Sequence, residues 1–297
     1  MTEFAFDRRT LVAGAATFMA LTASAQSSGA SGFKRGYADG PYGQIHYRYV
    51  TPPQSGRTPL VCLHASPLSG VVYENWLVEM GKDRLALAPD TPGYGSSDGP
   101  PQPVEISDFA KAMVRFLDEM KLERVDVMGY HTGSFTSIEL AKSFPKRIRK
   151  VVLISAPIFT EDELAALRKS SAGPAPNFDQ FLERTLENWR KNGKGMFRDV
   201  PTDDRFIDIR LESMRRFRTS GWGFRAAFNY DLARAIADVK QPILVLNPED
   251  DLWTQTPRAK PYLNAQSRIH DLPGWTHGHL DAHTAEMAAI VRQFLDA

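Results

Sequence analysis

Short apolar runs separated by turn-forming residues recur along the chain from residue 43 onward. An alternating strand-like segment covers 44–50, and continuous apolar runs follow it at 60–63, 85–88, 125–128, 151–154 and 243–246. Runs of this length predict strands that are buried on both faces. The segments 106–120 and 135–144 lie between strands and have apolar residues at helical spacing. This alternation predicts an α/β fold with a mainly parallel central sheet flanked by helices.

The alternation stops between residues 159 and 239, where three amphipathic helical patterns replace the strands. They cover 160–170, 177–193 and 202–217. Thr160 and Glu163 form a capping-box pattern at the start of the first one. We therefore predict a helical cap at 159–239, inserted between two parts of a core at 36–158 and 240–297. Most of the cap's aromatic residues are expected to pack within it and against the sheet, and a minority to line an apolar pocket.

Residues 1–25 have the pattern of an export signal. The pair Arg8 and Arg9 precedes an apolar run at 11–21, and an A-x-A arrangement ends at Ala25, where cleavage is expected. The arginine pair followed by a mildly apolar run resembles a twin-arginine signal. That resemblance implies a periplasmic or secreted location for a bacterial protein.

Composition and charge exclude several classes of function. The 297 residues include 36 Lys and Arg against 35 Asp and Glu, so the net charge of +1 gives no reason to expect nucleic acid as a partner. The single cysteine, Cys62, cannot form an internal disulfide, and no Cys/His ladder indicates structural zinc. No later apolar stretch is long enough for a membrane anchor. Residues 26–35 are predicted to be a flexible linker.

A histidine between two closely spaced glycines follows the strand predicted at 125–128. The sequence Gly129-Tyr130-His131-Thr132-Gly133 leads directly into a helical pattern. A sharp strand-to-helix turn needs glycines at both flanks, because a side chain there would collide with the neighbouring strand or helix. The turn therefore places residue 131 above the edge of the predicted sheet.

Four further motifs occur in an order that fits this turn. They are His64-Ala65-Ser66-Pro67, the segment DTPGYGSSD at 90–98, Pro248-Glu249-Asp250-Asp251, and Gly274-Trp275-Thr276-His277-Gly278. Together with the glycine-flanked turn, they resemble the α/β-hydrolase superfamily, in particular capped members such as epoxide hydrolases, dehalogenases and carbon-carbon bond hydrolases. The resemblance covers essentially the whole chain after the export signal.

The resemblance implies a catalytic relay at the end of the sheet. Asp251 lies three residues after the start of the acid turn and would orient His277, with Asp250 as the fallback acid. In this family the glycine-flanked turn is called the nucleophile elbow. The chain order of elbow, acid and histidine is the order expected in this fold.

The same resemblance implies where a substrate would be held. The backbone amides of Ser66 and Thr132 would face a developing oxyanion, and the Ser66 hydroxyl is a possible additional donor. His64, Tyr130 and Trp275 are expected to contact the substrate.

The elbow departs from the family at its central residue, because His131 stands where the family has Ser, Asp or Cys. Four roles are open for this histidine. It can attack a carbonyl to give an acyl-imidazole, or act with His277 as a general base. It can join His277 and a carboxylate in binding a metal, or be a relic in a site that only binds. No additional ligand motif is visible, so we expect neither a metal nor another cofactor.

These patterns together predict a hydrolase that acts on a small, mostly apolar substrate bound between cap and core. An ester or lactone is the first choice, and a carbon-carbon bond next to a carbonyl the second. One alternative is a cofactor-independent lyase or isomerase in which the two histidines move protons. The other is a non-catalytic protein that binds a small molecule in the same fold.

Overall fold

The computed structural model describes residues 32–54, 56–173 and 176–297, and these residues form an eight-stranded sheet with helices on both faces. The predicted export signal lies outside the described residues. The strands are β1 Lys34–Gly40, β2 Gly43–Val50, β3 Leu60–Leu63, β4 Ala86–Pro89, β5 Val125–Tyr130, β6 Ile148–Ile154, β7 Ile243–Pro248 and β8 Arg268–Leu272.

The strand order across the sheet is β1-β2-β4-β3-β5-β6-β7-β8. The pairs β1·β2 and β2·β4 are antiparallel, whereas all pairs from β4 to β8 are parallel. This confirms the predicted mainly parallel sheet. One boundary was wrong: β1 begins at Lys34, so the end of the predicted linker at 26–35 belongs to an edge strand. The strand was not predicted because its residues are mostly polar and form no apolar run.

Ten α-helices surround the sheet within the described part of the chain. They are α1 Glu74–Met80, α2 Ile106–Glu119, α3 Thr132–Ser143, α4 Glu161–Ser171, α5 Phe178–Asn192, α6 Asp203–Arg215, α7 Trp222–Phe228, α8 Leu232–Asp238, α9 His279–Ala282 and α10 Thr284–Leu295. Short 3-10 turns lie at Gly70–Tyr73, Gly195–Phe197 and Thr256–Tyr262. No described helix is long and apolar enough to cross a bilayer.

The central strands are apolar without interruption because both of their faces are covered. In β3, Val61 and Leu63 face a cluster that includes Phe109 of α2. Leu60 and Cys62 face the opposite cluster, which includes Trp76 of α1. Successive side chains of a strand point to opposite faces, so each of these four residues is buried on its own side.

Helices α4 to α8 lie between β6 and β7, where the sequence predicts the cap. The predicted capping box is present: the backbone N–H of Glu163 donates to Thr160 Oγ1 at 3.3 Å, and the backbone N–H of Thr160 donates to Glu163 Oε2 at 2.7 Å. Arg205 of α6 ties the cap to the core. Its guanidinium donates to Glu74 Oε2 at 2.9 Å and to both carboxylate oxygens of Asp281 at 3.1 Å.

Candidate active site

The turn between β5 and α3 has the sharp geometry that its glycines predict. His131 has φ +48° and ψ −110°, a backbone conformation that L-residues rarely adopt. A Cβ on Gly133 would lie 2.0 Å from the carbonyl oxygen of Leu63, and a Cβ on Gly129 would lie 2.3 Å from that of Gly133. Only glycine fits at both flanks, and the imidazole of His131 is thereby held at the end of the sheet.

His131 is bonded to Asp250, the residue predicted only as the fallback acid. The separation between His131 Nε2 and Asp250 Oδ2 is 2.7 Å. Asp250 also accepts from the Ser155 hydroxyl at 2.9 Å and from the backbone N–H of Leu252 at 2.8 Å. Burial opposes ionisation of this carboxyl, but the His131 imidazole and the hydrogen bonds outweigh it and hold the pKa of Asp250 well below its usual value. Because the carboxylate can only accept, Nε2 of His131 carries the proton.

The other nitrogen of His131, Nδ1, has no hydrogen-bond partner among the described residues. The side chain is 15% exposed and lines a cavity. Burial lowers the pKa of His131, but the carboxylates of Asp250 and Asp251 outweigh this and raise it above its ordinary value. The site therefore offers a basic imidazole nitrogen to whatever enters the cavity.

His277 forms a second imidazole–carboxylate pair. Its Nε2 lies 2.8 Å from Asp251 Oδ1, as the sequence predicts for these two residues. Its Nδ1 is bonded to the Tyr130 hydroxyl rather than to residue 131. Burial, with the nearby carboxylates, raises the pKa of Tyr130 far above its usual value, so the phenol is neutral and can donate to Nδ1. Both nitrogens of His277 are thus engaged.

The two pairs are neighbours. The rings of His131 and His277 have centroids 5.0 Å apart and cross at 67°. The structure therefore brings together His131, Asp251 and His277, the three residues of the predicted relay. Asp250 joins them, and the four residues form two separate pairs instead of one chain of contacts. Sequence reasoning missed the bonds made by Tyr130 and Ser155; position at the ends of β5 and β6 was the only signal for them.

The two predicted oxyanion donors lie against each other. The backbone N–H of Ser66 donates to Thr132 Oγ1 at 3.3 Å, a long bond that a substrate oxygen can replace.

The predicted substrate contacts are placed differently from expectation. His64 is buried, its Nε2 accepts from the backbone N–H of Thr91 at 2.8 Å, and its Nδ1 lies 3.0 Å from Ala65 O. Trp275 stacks on His283 with ring centroids 4.2 Å apart. Tyr130 is fully buried beneath the two imidazoles. None of these three residues lines the cavity next to His131, so we assign no substrate contact to them.

A cavity of about 380 Å³ opens at His131 between cap and core. Its walls are mostly apolar, and they come from both sides of the boundary. The lining residues besides His131 are Thr132, Phe135, Pro157, Phe159, Glu163, Ala166, Leu167, Phe224, Ala227, Phe228, Asp251, Leu252 and Gln255. The two cap aromatics at positions 224 and 228 belong to the minority that the sequence analysis expects to line a pocket.

A second cavity of about 470 Å³ lies on the other side of Leu167, Phe224 and Phe228, which line both spaces. It contains Arg210 of α6, which forms no ion pair with any described residue. The guanidinium carbon of Arg210 lies 5.9 Å from the ring centroid of Trp189, and its buried Nε has no hydrogen-bond partner in the part of the chain that the structure describes. Burial lowers the pKa of Arg210, as expected for a cation without a counter-charge.

The family model described as "alpha/beta hydrolase fold" matches residues 58–265, and the chain belongs to this family. Solved structures with the same fold include a hydrolase from Pseudomonas aeruginosa, with a TM-score of 0.73, 18% identity and coverage of 89% of this chain and 99% of that one. An enol-lactonase from Burkholderia xenovorans has a TM-score of 0.69 at 18% identity and covers 88% of this chain and 100% of its own.

Curated relatives match over shorter or more divergent stretches. A 2-hydroxy-6-oxo-2,4-heptadienoate hydrolase of Pseudomonas putida is 30% identical over 102 residues, which is 33% of this chain and 37% of the relative. The chain thus matches little more than a third of that relative's length. A 2-(acetamidomethylene)succinate hydrolase of Mesorhizobium japonicum is 24% identical over 262 residues, covering 82% of this chain and 90% of the relative.

Proposed function

We propose that the protein hydrolyses a small carbonyl substrate, with His131 as the general base that activates water. The observation that carries this proposal is the Asp250–His131 pair: His131 lines the cavity, and its Nδ1 has no hydrogen-bond partner within the described residues. An imidazole with one nitrogen held by a carboxylate and the other open to substrate is the arrangement that moves protons in acyl-transfer enzymes. Here it lies at the elbow, so the water must sit between His131 and the substrate carbonyl.

The surrounding groups complete a hydrolytic step. Nδ1 of His131 takes a proton from water as the oxygen attacks the carbonyl carbon, and Asp250 stabilises the resulting imidazolium. The negative charge that develops on the carbonyl oxygen is stabilised by the amide of Ser66, after the Thr132 hydroxyl leaves it, and by the amide of Thr132. The imidazolium returns its proton to the leaving group, so the catalyst is regenerated.

The cavities favour a substrate with an apolar body and an acidic end. The space next to His131 is lined by Phe, Leu, Ala and Pro side chains, and the adjoining space is lined in part by Arg210, which has no ion pair within the described residues. A half-buried cation without a counter-charge is stabilised by a carboxylate that enters with the substrate. The names of two relatives, a heptadienoate hydrolase and a succinate hydrolase, denote substrates with carboxylates, which supports this assignment.

The test is hydrolysis of matched esters and lactones, with and without a carboxylate, in water enriched in heavy oxygen. We expect the parent protein to prefer the acidic member of each pair and to place one solvent oxygen in the product. Arg210→Met should raise KM for acidic substrates and leave the neutral ones nearly unchanged. His131→Ala should abolish turnover, whereas His270→Ala, which changes an exposed histidine on β8, should not. Full activity in His131→Ala would refute the proposal.

A second candidate is a lyase or isomerase, which is favoured by the imidazole in place of a hydroxyl at residue 131 and by the two neighbouring imidazole–carboxylate pairs. It predicts turnover without incorporation of solvent oxygen. If a substrate analogue raises the melting temperature but no compound is turned over, the result supports the non-catalytic binding function instead.

We further propose that residues 1–25 direct export of the protein, through the twin-arginine route, to the periplasm. The support is the paired arginines before the apolar run. Cell fractionation of the wild-type chain and of an Arg8→Lys, Arg9→Lys variant tests it. The wild-type protein should reach the periplasm, and the variant should stay in the cytoplasm.

A further inference from the structure

Four potential metal ligands converge at the end of the sheet. One donor atom from each of His131, Asp250, Asp251 and His277 can be chosen so that all four lie within 4.8 Å of one another. The donors come from three separate loops, after β5, β7 and β8, so the sheet itself brings them together. The replacement of the usual nucleophile by His131 supplies the fourth ligand.

The distances are close to those of a metal centre. Zinc lies about 2.1 Å from nitrogen and oxygen ligands, so tetrahedral donors are about 3.4 Å apart. The imidazole and carboxylate of each pair, at 2.7 and 2.8 Å, would open slightly, and the widest separation of 4.8 Å would close by about 1.4 Å, a movement shared by two side chains. Asp251, whose side chain is 48% exposed, is free to make most of this adjustment.

Two of the four ligands, His277 and Asp250, already have the outer contacts that orient a metal ligand. A histidine that binds a metal through one nitrogen donates its other N–H to a nearby acceptor, and this fixes the ring. The Tyr130 oxygen lies at Nδ1 of His277 and can accept that proton. Asp250 is fixed by Ser155 Oγ and by the backbone N–H of Leu252, and its side chain is fully buried. Two ligands are therefore oriented before any ion arrives.

The donor set selects the kind of ion. Two neutral imidazoles and two carboxylates give a charge of −2 in a partly buried site, and a divalent cation balances it. Imidazole ligands favour zinc and its first-row neighbours over magnesium and calcium, which prefer oxygen alone. We propose that His131, Asp250, Asp251 and His277 form a binding site for one divalent first-row transition ion such as Zn²⁺.

The ion takes the place of the proton at Nε2 of each imidazole: a neutral ring keeps its proton by moving it to Nδ1, and an imidazolium releases one proton on binding. The metal-bound state and the proton-bound state used in base catalysis are thus alternatives at one site. The inference goes beyond the proposed function and does not depend on it, because binding is measured without substrate.

The test is a Zn²⁺ titration of the tag-free, full-length protein after removal of metals with a chelator. We expect one ion per chain by calorimetry, and a visible absorption spectrum of tetrahedral type when Co²⁺ replaces Zn²⁺. Asp251→Asn and His277→Gln should each weaken binding at least tenfold. The matched control is His283→Ala, which removes an imidazole that also faces a carboxylate, Glu286, outside the cluster.

The inference fails if no saturable binding occurs, if both cluster variants bind as the parent does, or if His283→Ala alone removes the binding. We expect Asp251→Asn to keep the fold, because this side chain is half exposed, so weaker binding by this variant reports on the site and not on unfolding. Hydrolysis by chelated protein together with a failed titration would leave the proposed function intact and refute only the metal site.

Discussion

Two adjacent aspartates serve two different imidazoles. Asp250 is buried and binds His131, whereas Asp251 is half exposed and binds His277. Because consecutive side chains in the turn after β7 point in different directions, one dipeptide reaches both histidines. The two carboxylates are therefore not equivalent in the proposed reaction: Asp250 supports the base, and Asp251 supports its neighbour.

Substitution of the two aspartates by asparagine separates these roles. Asp250→Asn should lower kcat/KM by about 10²- to 10⁴-fold, because the His131 imidazolium loses its counter-charge. Asp251→Asn should lower kcat/KM distinctly less, since the carboxylate of Asp251 contacts His277 and not the proposed base. Steady-state kinetics on the preferred substrate measure both. Equal losses, or a larger loss in Asp251→Asn, would instead support the relay that the sequence motif implies.

His64 makes folding stability depend on pH. Burial, its largest influence, lowers the pKa of His64 below the ordinary 6.5. Below pH 6.5 the unfolded chain takes up a proton that the folded chain resists, so the free energy of unfolding falls with falling pH, by up to about 1.4 kcal/mol per pH unit. Urea unfolding between pH 7.5 and 5 should show a shallower slope in His64→Gln than in the parent. Exposed His270→Gln should leave the slope unchanged, and an unaltered slope in His64→Gln would contradict the assignment.

The members of the site and the contact between Asp251 and His277 could be predicted from the sequence, but the contact between Asp250 and His131 could not. Spacing from the turn located Asp251 and His277, and the glycines located His131. Which carboxylate meets which imidazole depends on the direction of single side chains after β7, and the bond from Tyr130 depends on depth beneath the sheet edge. Neither the direction of a single side chain nor its depth can be predicted from the spacing of apolar and polar residues in the sequence.

The strand-to-helix turn is the element whose geometry allows least substitution. Gly133→Ala would put a methyl group 2.0 Å from the backbone oxygen of Leu63, in the neighbouring strand β3. We expect a loss of roughly 4 kcal/mol or more in the free energy of unfolding, or failure to fold. The matched control is Gly221→Ala, where a Cβ meets nothing within 4 Å and φ is −82°. Denaturant unfolding of both variants checks the difference, and similar stabilities would be inconsistent with the close approach.

At the level of elements, apolar runs predicted the buried strands well because both faces of the sheet are covered. The prediction for β3 at 60–63 agrees with the structure residue for residue. The edge strand β1 was missed because it pairs on one side only and carries the polar and small sequence KRGYADG, in which backbone pairing with β2 replaces burial as the stabilising contact.

For the molecule as a whole, Arg205 joins cap and core. Its guanidinium is 12% exposed and contacts Glu74 and Asp281, the latter with only 2% of its side chain exposed. Arg205→Met would leave Asp281 without its cation, whereas Glu74 keeps Arg48, and it should cost about 3–5 kcal/mol in the free energy of unfolding. Arg218→Met, at an exposed arginine of the same cap, is the control. An unchanged unfolding midpoint in Arg205→Met would mean that the cap is held by its apolar contacts alone.

The cap leaves the sheet after β6 and returns at β7, and these strands are direct neighbours in which Ile154 pairs with Leu246. The chain therefore leaves the sheet at the carboxyl end of β6 and re-enters it at the amino end of the adjacent strand β7, where Ile243 pairs with Val151. The groups proposed for chemistry belong to the sheet, and Arg210 belongs to the insertion. In the proposed function, the reactive groups and the group that selects acidic substrates thus come from different parts of the chain, and we expect a different insertion between the same two strands to change the substrate while the reactive groups stay the same.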